Sequence, residues 1–209
     1  MGNVVKKKMP EVHKSERQII GLTGGIATGK STVSDYLTER YGLPVLDADV
    51  YARQAVEPDS EILKRICNRY GMDMLLPDGT LNRPALGQII FNSPQEKQWV
   101  EQQIHPFIRE QFSKATASYP SSQALVYAIP LLFEAKLTHL VTDIWVVICT
   151  PAQQKSRLMA RNNLSAQAAQ SRIDAQMSLD EKCKRADCVL DNSHTVAYLF
   201  KQIDALLAS

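Results

Sequence analysis

Apolar residues along the chain follow two alternating patterns. Between helical segments, short apolar runs bounded by glycine, proline or aspartate predict buried strands at 19–22, 43–46, 124–129, 143–149 and 188–191. Elsewhere apolar residues recur every three or four positions, as in Val33, Tyr36 and Leu37, and predict amphipathic helices. Because strands alternate with helices, we expect an α/β fold with a five-stranded parallel sheet flanked by helices.

Residues 59–119 break this alternation, since they show helical spacing without a strand. Ile62 and Ile66, for example, share one helical face. A capping box at 93–96, with proline at the first helical position, opens a long helix. Pro106 is expected to kink or restart that helix. The region is therefore interpreted as a group of helices inserted between strands of the sheet.

Two predicted helices between 151 and 185 carry arginines at helical spacing. Arg157 and Arg161 lie four residues apart on the first. Arg172 lies four residues before Gln176 on the second, so each pair is expected on one helix face. Surface arginines usually contribute little to stability. Near a bound triphosphate, however, guanidinium groups on a mobile hairpin are candidates to stabilise charge during phosphoryl transfer.

The composition is that of an ordinary globular protein. The 209 residues suffice for one sizeable core, and 44% hydrophobic with 22% charged residues argue against global disorder. The 24 basic and 22 acidic residues leave a net charge of only +2, so neither nucleic acid nor a membrane surface is expected as a partner. Residues 1–17 show no period and few large apolar groups, and are expected to form a disordered tail.

The four cysteines and the absence of long apolar runs bear on location. Cys67, Cys149, Cys183 and Cys188 match neither zinc-ligand spacing nor a redox pair, so free thiols are expected. No apolar run reaches the ~18 residues of a membrane span, and the N-terminal stretch lacks the apolar core of a signal peptide. We therefore predict a cytoplasmic protein.

The strongest chemical signal is a glycine-rich motif between the first strand and the first helix. Gly24, four further residues, Gly29, Lys30 and Ser31 match the G-x-x-x-x-G-K-[ST] pattern of a phosphate-binding loop. Backbone N–H groups in such a loop point at one anion, and the helix N-terminus adds its dipole. Lys30 can reach the β and γ oxygens of a triphosphate, while the Ser31 hydroxyl can bind Mg²⁺.

Carboxylates follow the second predicted strand, at Asp47 and Asp49. Ligands of open parallel sheets bind at the carboxyl ends of strands, although one of these acids could instead cap the next helix. Because they are one residue apart, we expect them to have unequal roles. Two further features have alternative interpretations: His105 beside Pro106 is more often a packed residue, and the loop 130–134 could simply pack on the core.

The phosphate-binding loop predicts nucleotide binding but does not define the reaction. A GTPase would need a guanine-reading Asn-Lys-x-Asp, which the sequence lacks. An ATP-driven motor would normally have an acid at the end of the third strand, where the sequence reads Tyr127-Ala128-Ile129. A small-molecule kinase therefore fits best. The alternatives are a P-loop kinase for a nucleoside or small metabolite, and a non-catalytic nucleotide-binding module.

Five motifs, in order, resemble those of the dephospho-CoA kinase family. They are the phosphate-binding loop, Asp47-Ala48-Asp49 with Arg53, Ile104-His105-Pro106, Pro130-Leu131-Leu132-Phe133-Glu134, and Arg172-Ile173-x-x-Gln176. The resemblance extends from Ile19 to about Asn192, and the ordered set is far more specific than any single motif. It implies Mg²⁺-dependent transfer of the ATP γ-phosphoryl group to the ribose 3′-hydroxyl of dephospho-CoA, the final step of coenzyme A synthesis.

The resemblance also implies roles for single residues. Asp49 would accept the 3′-hydroxyl proton and could hold Mg²⁺ through a water molecule, with Ser31 as a direct ligand. Lys30 and Arg157 would assist the transfer. The implied ATP contacts are Gly25, Ala27, Thr28, Gly29, Lys30, Ser31, Thr32, Arg161 and Arg172. The implied dephospho-CoA contacts are Asp49, Arg53, His105, Pro130, Leu131, Leu132 and Glu134.

The family pattern divides residues 18–209 into three parts. These are a P-loop kinase core at about 18–50, 121–150 and 186–209, substrate-binding helices at about 51–120, and a helical lid at about 151–185. The chain departs from the family at Ala27-Thr28, where Gly-Ser is common. Alanine keeps the backbone N–H donor, so activity is still expected. A monomer or a weak homo-oligomer is expected.

Overall fold

The computed structural model describes residues 17–208 of the chain, so the predicted tail lies outside the described residues except for Arg17. The strands are β1 (Ile19–Gly24), β2 (Val45–Asp47), β3 (Leu125–Ala128), β4 (Asp143–Ile148) and β5 (Cys188–Asp191). The helices are α1 (Lys30–Tyr41), α2 (Ala48–Gln54), α3 (Glu61–Tyr70), α4 (Arg83–Asn92), α5 (Pro94–Ala117), α6 (Pro151–Asn162), α7 (Ala166–Asp174), α8 (Leu179–Arg185) and α9 (Val196–Leu207). Short 3-10 helices lie at Met72–Met74 and Thr138–Leu140.

The five strands form one sheet in the order β2-β3-β1-β4-β5. Strand β1 is central and pairs in parallel with both neighbours, with Gly21 opposite Tyr127 on one side and Ile144 on the other. Strand β5 extends the sheet in parallel from β4. The five predicted strands and the parallel α/β sheet are confirmed. The phosphate-binding motif therefore follows the central strand.

The sheet is covered on both faces, which explains why its strands are nearly continuous apolar runs. On one face, Ile20 and Leu22 pack with α1 and with Leu199 and Ile203 of α9, all fully buried. On the other face, Val146 packs with Phe133 and Ala186. Burying each large aliphatic side chain contributes about 1.5–3 kcal/mol. The phosphate-binding motif therefore follows a strand that is buried on both faces.

The chain folds into two compact units. One contains the described residues up to Leu46 together with those from Pro120 onward, and the other is Asp47–Tyr119. The second unit contains α2 to α5, whose shared core includes Leu63, Ile66 and Val100. The finer division into core, substrate-binding helices and lid stays a prediction.

Helix capping follows the sequence signals with one difference. Thr150 and Gln153 form a complete capping box at the start of α6. Ser93 accepts a hydrogen bond from the Glu96 N–H at 3.3 Å, but the Glu96 carboxylate bonds to Arg69 instead of completing the box. The hydrogen bonds from Arg69 and then Tyr70 lower the pKa of Glu96 to about 2. Glu96 therefore joins α5 to α3.

At Pro106 the structure excludes one of the two expected outcomes, a restart of the helix, and one other helix prediction needs correction. Helix α5 does not restart at Pro106 but continues over 24 residues, with Val100, Ile108 and Phe112 buried on either side of the proline. This packing offsets the backbone hydrogen bond that proline removes. Helix α7 ends at Asp174, so Gln176 does not share a helix face with Arg172.

All four cysteines are free, as predicted. Burial raises the pKa of the Cys149 and Cys183 thiols. None of the helices between residues 17 and 208 has the length and apolar character needed to cross a membrane.

Candidate active site

The phosphate-binding loop connects β1 to α1 and leaves the helix without a side-chain cap. Gly29 is the N-cap residue, with φ 103°, a conformation that favours glycine. Gly29 has no side chain that could cap the helix, and the first turn of α1 contains no acid. A helix N-terminus of this kind attracts an anion through its N–H groups and its dipole. The predicted position of the loop between strand and helix is confirmed.

Ala27 and Thr28 give the loop its shape. Ala27 adopts φ 61°, a left-handed conformation that costs a non-glycine residue on the order of 1–2 kcal/mol. This explains why glycine is common at this position in the family, because glycine adopts the same conformation without strain. The Thr28 N–H and hydroxyl both donate to the Gly25 carbonyl, at 3.2 and 2.9 Å. The fully buried Thr28 side chain thus closes the turn from within.

Three buried side chains donate hydrogen bonds to backbone carbonyls of the loop. Lys182 Nζ lies 3.2 Å from the Gly24 carbonyl oxygen. Gln154 Nε2 donates to the Ile26 carbonyl at 2.9 Å. Asn192 Nδ2 donates to the Thr28 carbonyl at 2.8 Å.

A fourth side chain accepts from the same loop. The Gln176 amide oxygen accepts the Ile26 N–H at 2.8 Å, so the two peptide groups that flank the Ile26 Cα are each held by a side chain. Gln176 reaches the loop because α7 ends two residues earlier. The side chain that was expected on a helix face therefore supports the phosphate-binding loop.

The packing around Gly29 leads to a first prediction. A Cβ atom at this position would overlap Asn192 Nδ2, and positive φ would add backbone strain. We expect Gly29→Ala to lower the free energy of unfolding by roughly 2–3 kcal/mol and to weaken nucleotide binding at least roughly tenfold. Denaturant unfolding and isothermal titration with ATP would measure both quantities.

Gly42→Ala is a matched control, because Gly42 caps the other end of α1 at φ 64° but has open space around its Cβ position. It should show the strain alone, about 1 kcal/mol, with ATP affinity unchanged. Equal losses of ATP affinity in the two variants would contradict a specific role for the contact between Gly29 and Asn192.

The predicted substrate loop after β3 is tied to the phosphate-binding region. The Pro130 carbonyl accepts from the Thr23 hydroxyl at 3.1 Å and from Lys182 Nζ at 3.2 Å. The Leu132 side chain is fully buried, so this residue packs in the core, as the alternative interpretation of the loop anticipated. Pro130 and Leu131 remain partly accessible. Contacts between this loop and dephospho-CoA stay a prediction.

Glu134 lies in a buried ion pair. Its Oε1 atom is 2.9 Å from Lys182 Nζ and also accepts the Met177 N–H at 3.0 Å. Its Oε2 atom is buried without a hydrogen-bond partner among the described residues. The structure thus places Glu134 where it holds the segment that follows α7.

The three arginines predicted for the lid have different surroundings. Arg157 donates from Nη2 to the Asn192 carbonyl at 3.2 Å, whereas its Nη1 is buried without a hydrogen-bond partner in the described part of the chain. Arg161 is exposed and donates to the Asn162 side chain at 2.9 Å. Arg172 is exposed on α7. Arg157 is thus hydrogen-bonded to Asn192, the residue that holds the Thr28 carbonyl.

The predicted acids lie at the start of the second unit. Asp47 caps α2 by accepting the Asp49 N–H at 2.8 Å, so the unequal roles expected for the two acids have a structural basis. Asp49 is exposed in the first turn of α2 and Arg53 lies one turn later. Helix α2 packs on α5 through Tyr51 and Phe112, whose rings meet edge to face at 5.2 Å.

His105 lies on α5 and is half-buried. Burial lowers its pKa below the ordinary value of a histidine, so the imidazole is uncharged at neutral pH. A neutral ring can donate one hydrogen bond and accept another.

The sequence interpretation missed Gln154 and Lys182 and gave no role to Asn192. Asn192 follows a strand end, and the rule that pointed to Asp49 would have pointed to it as well. Lys182 lies in the charged run Asp180–Arg185, where nothing in the sequence separates it from its exposed neighbours. Gln154 and Gln153 are likewise indistinguishable by type. Only burial identifies the two side chains that reach the loop.

A central parallel strand that leads through a glycine-rich turn into an uncapped helix defines a P-loop nucleotide-binding protein. The comparisons with known proteins narrow this class. The family model described as dephospho-CoA kinase matches residues 18–197. This chain belongs to the dephospho-CoA kinase family.

Relatives and solved structures agree with this assignment. The dephospho-CoA kinase of Synechocystis is 57% identical over 187 residues, covering 90% of this chain and 93% of that protein. The one from Trichormus variabilis is 55% identical over 191 residues, covering 91% and 97%. A crystal structure from Thermus thermophilus has a TM-score of 0.79 at 34% identity, covering 92% and 97%. Dephospho-CoA kinase from Campylobacter jejuni has a TM-score of 0.65 at 27% identity, covering 91% and 95%.

Proposed function

We propose that this chain transfers the γ-phosphoryl group of ATP to the ribose 3′-hydroxyl of dephospho-CoA and releases coenzyme A and ADP. This is the reaction that the family resemblance implies. The observation that carries the proposal is the family match over residues 18–197, which includes the phosphate-binding loop, Asp47 at the end of β2 and Asp49 in α2. The residue roles below are part of the same proposal.

ATP would bind with its phosphates in the loop between β1 and α1. The N–H groups at the uncapped start of α1 would surround the phosphates, and Lys30 would neutralise charge on the β and γ oxygens. This arrangement suits phosphoryl transfer, in which charge spreads over the γ-phosphate oxygens and catalysis is mainly positioning and electrostatic stabilisation.

The available residues fit Mg²⁺ as the metal ion. Ser31 is exposed in the first turn of α1, and the described residues contain no cluster of three or more His, Cys, Asp or Glu side chains. Mg²⁺ suits this composition, because it keeps several waters and takes its other ligands from phosphate oxygens and one or two protein groups. Ser31 would bind the ion directly and Asp49 through water. The ion would neutralise charge on the phosphates during transfer.

Asp49 would accept the proton of the 3′-hydroxyl. The transition state is loose, so the acceptor needs orientation more than strong deprotonation, and an ordinary carboxylate is a sufficient base. The hydrogen bond from its own N–H to Asp47 fixes the backbone at Asp49 and leaves its carboxylate outside the capping interaction. Arg53, His105, Pro130, Leu131 and Glu134 would contribute to the dephospho-CoA site.

Arg157 would stabilise charge on the transferring group, with Arg161 and Arg172 contributing to ATP binding from the lid. The Nη1 atom of Arg157 is a buried donor without a hydrogen-bond partner among the described residues. A buried guanidinium N–H without an acceptor is costly, and a phosphate oxygen would satisfy it. This observation supports Arg157 over Arg161, whose Nε is already engaged.

The reaction is tested by following ADP release when the purified protein receives ATP and Mg²⁺ with dephospho-CoA, adenosine or shikimate. We expect turnover with dephospho-CoA only. Turnover with adenosine or shikimate instead would identify a different P-loop kinase. ATP binding without turnover on any of the three would indicate a nucleotide-binding module.

We further propose a cytoplasmic enzyme that acts as a monomer or weak homo-oligomer without nucleic acid or membrane partners. The nearly balanced charge and the four free thiols support this setting.

A further inference from the structure

The side chains that hold the phosphate-binding loop follow a regular pattern. Lys182, Gln154 and Asn192 donate to the carbonyls of Gly24, Ile26 and Thr28, which are alternate residues of the loop. The three donors come from separate parts of the first unit: α8, α6 and the residue after β5. Every second carbonyl of the loop is therefore held from outside.

Because peptide groups are planar, a hydrogen bond to one of these carbonyls also fixes the direction of the N–H group of the next residue. In a trans peptide, the C=O of one residue and the N–H of the next point in opposite directions. The described residues contain no cis peptide bond. Holding the Ile26 and Thr28 carbonyls therefore directs the N–H groups of Ala27 and Gly29 away from Gln154 and Asn192.

Ala27 and Gly29 are the positions at which this control matters. Both have positive φ, in a loop where rotation of a peptide plane would turn an N–H group away from the phosphate. Both N–H groups are predicted ATP contacts. A carbonyl that accepts a hydrogen bond also polarises its own peptide, which strengthens the N–H on the other side.

The three donor side chains are buried, which favours their hydrogen bonds to the loop carbonyls over hydrogen bonds to water. Lys182 is fully buried, and Gln154 and Asn192 are only 4% and 6% exposed. A buried amide or ammonium group that lost its acceptor would carry the cost of an unmade hydrogen bond. Because the donors lack ready access to water, the loop carbonyls are held in one orientation.

We propose that Gln154, Lys182 and Asn192 are positioning residues for phosphate binding, acting through the loop carbonyls rather than by touching ATP. The proposal rests on the proposed function only in that ATP occupies this loop. It assigns to three buried polar side chains a role that is separate from those of Lys30 and Ser31.

The test replaces Gln154, which contributes no charge. Gln154→Met removes the donor while keeping the length of the side chain. We expect ATP to bind roughly tenfold more weakly by isothermal titration, because the Ala27 N–H loses its fixed direction. The KM for ATP should rise correspondingly, while the KM for dephospho-CoA stays within about twofold. A general loosening of the fold would change both.

Gln153→Met provides the matched control on the same helix. Gln153 donates to the Ser193 carbonyl at 2.8 Å and completes the capping box of α6. Its replacement should therefore lower stability without removing a hydrogen bond to the phosphate-binding loop. If Gln153→Met and Gln154→Met weaken ATP binding equally at matched thermal stability, the proposal is wrong.

A second variant covers the case in which Gln154→Met does not fold. Gln154→Leu also removes the donor but is uncharged and slightly smaller than methionine, and ATP binding should weaken about as much. Unchanged ATP affinity in this variant would overturn the proposal. Since titration with ATP needs no acceptor, the result is independent of whether dephospho-CoA is the substrate.

Discussion

Asp49→Asn is expected to lower kcat by a factor on the order of 10²–10⁴ while the protein still binds ATP. Asparagine keeps the shape of the side chain but cannot accept the 3′-hydroxyl proton as a carboxylate does. Because the amide retains hydrogen-bonding capacity, KM for dephospho-CoA should change much less than kcat. Steady-state ADP release at saturating ATP, together with titration of ATP, measures both effects.

Asp47→Asn is the matched control for this experiment. Asp47 caps α2 through the Asp49 N–H, and asparagine caps helices about as well as aspartate. This variant should keep its fold and most of its turnover. Near-normal activity of Asp49→Asn would refute the assignment of the base, and loss of activity only in Asp47→Asn would move the role to the other acid.

Lys182→Met is expected to lower the free energy of unfolding by about 3 kcal/mol. The substitution leaves the Glu134 carboxylate without its partner ammonium and removes the donor from the Gly24 and Pro130 carbonyls. Breaking a buried ion pair typically costs about 3–5 kcal/mol, and the lower end applies because the Glu134 side chain is 21% exposed. Equilibrium unfolding in urea measures the loss.

Two further variants separate the ion pair from other effects. Lys184→Met, an exposed lysine on the same helix, should change stability by no more than about 0.5 kcal/mol. Adding Glu134→Gln to Lys182→Met should recover part of the loss, because the uncompensated charge is gone. Equal stability of the Lys182 and Lys184 variants would contradict the buried position of Lys182.

The ion pair also bears on the role of Glu134. The family resemblance implies a contact with dephospho-CoA, whereas the structure shows Glu134 bonded to Lys182 and to the Met177 N–H. Both roles are compatible with its two oxygens, since Oε1 makes both structural contacts and Oε2 has no partner among the described residues. A larger rise in KM for dephospho-CoA in Glu134→Gln than in Lys182→Met, measured at a temperature where both variants remain folded, would favour the substrate contact, because both variants break the ion pair.

The sequence determined the sheet, the phosphate-binding loop and the family. Apolar runs locate β1 to β5 because strands buried on both faces must be apolar along their whole length. The loop is recognisable because its chemistry requires glycine, lysine and serine at fixed spacing. These features depend on residues close together in the chain, so local pattern suffices to find them.

The support of the loop was decided only by tertiary structure. Gln154, Lys182 and Asn192 are more than 120 residues from the loop in sequence, and equivalent side chains such as Gln153 and Lys184 make no such contact. Likewise, the sequence could not tell that α7 ends before Gln176 or that α5 continues through Pro106. Which of two residues of the same type becomes buried depends on packing between distant segments, so the local sequence pattern does not predict it.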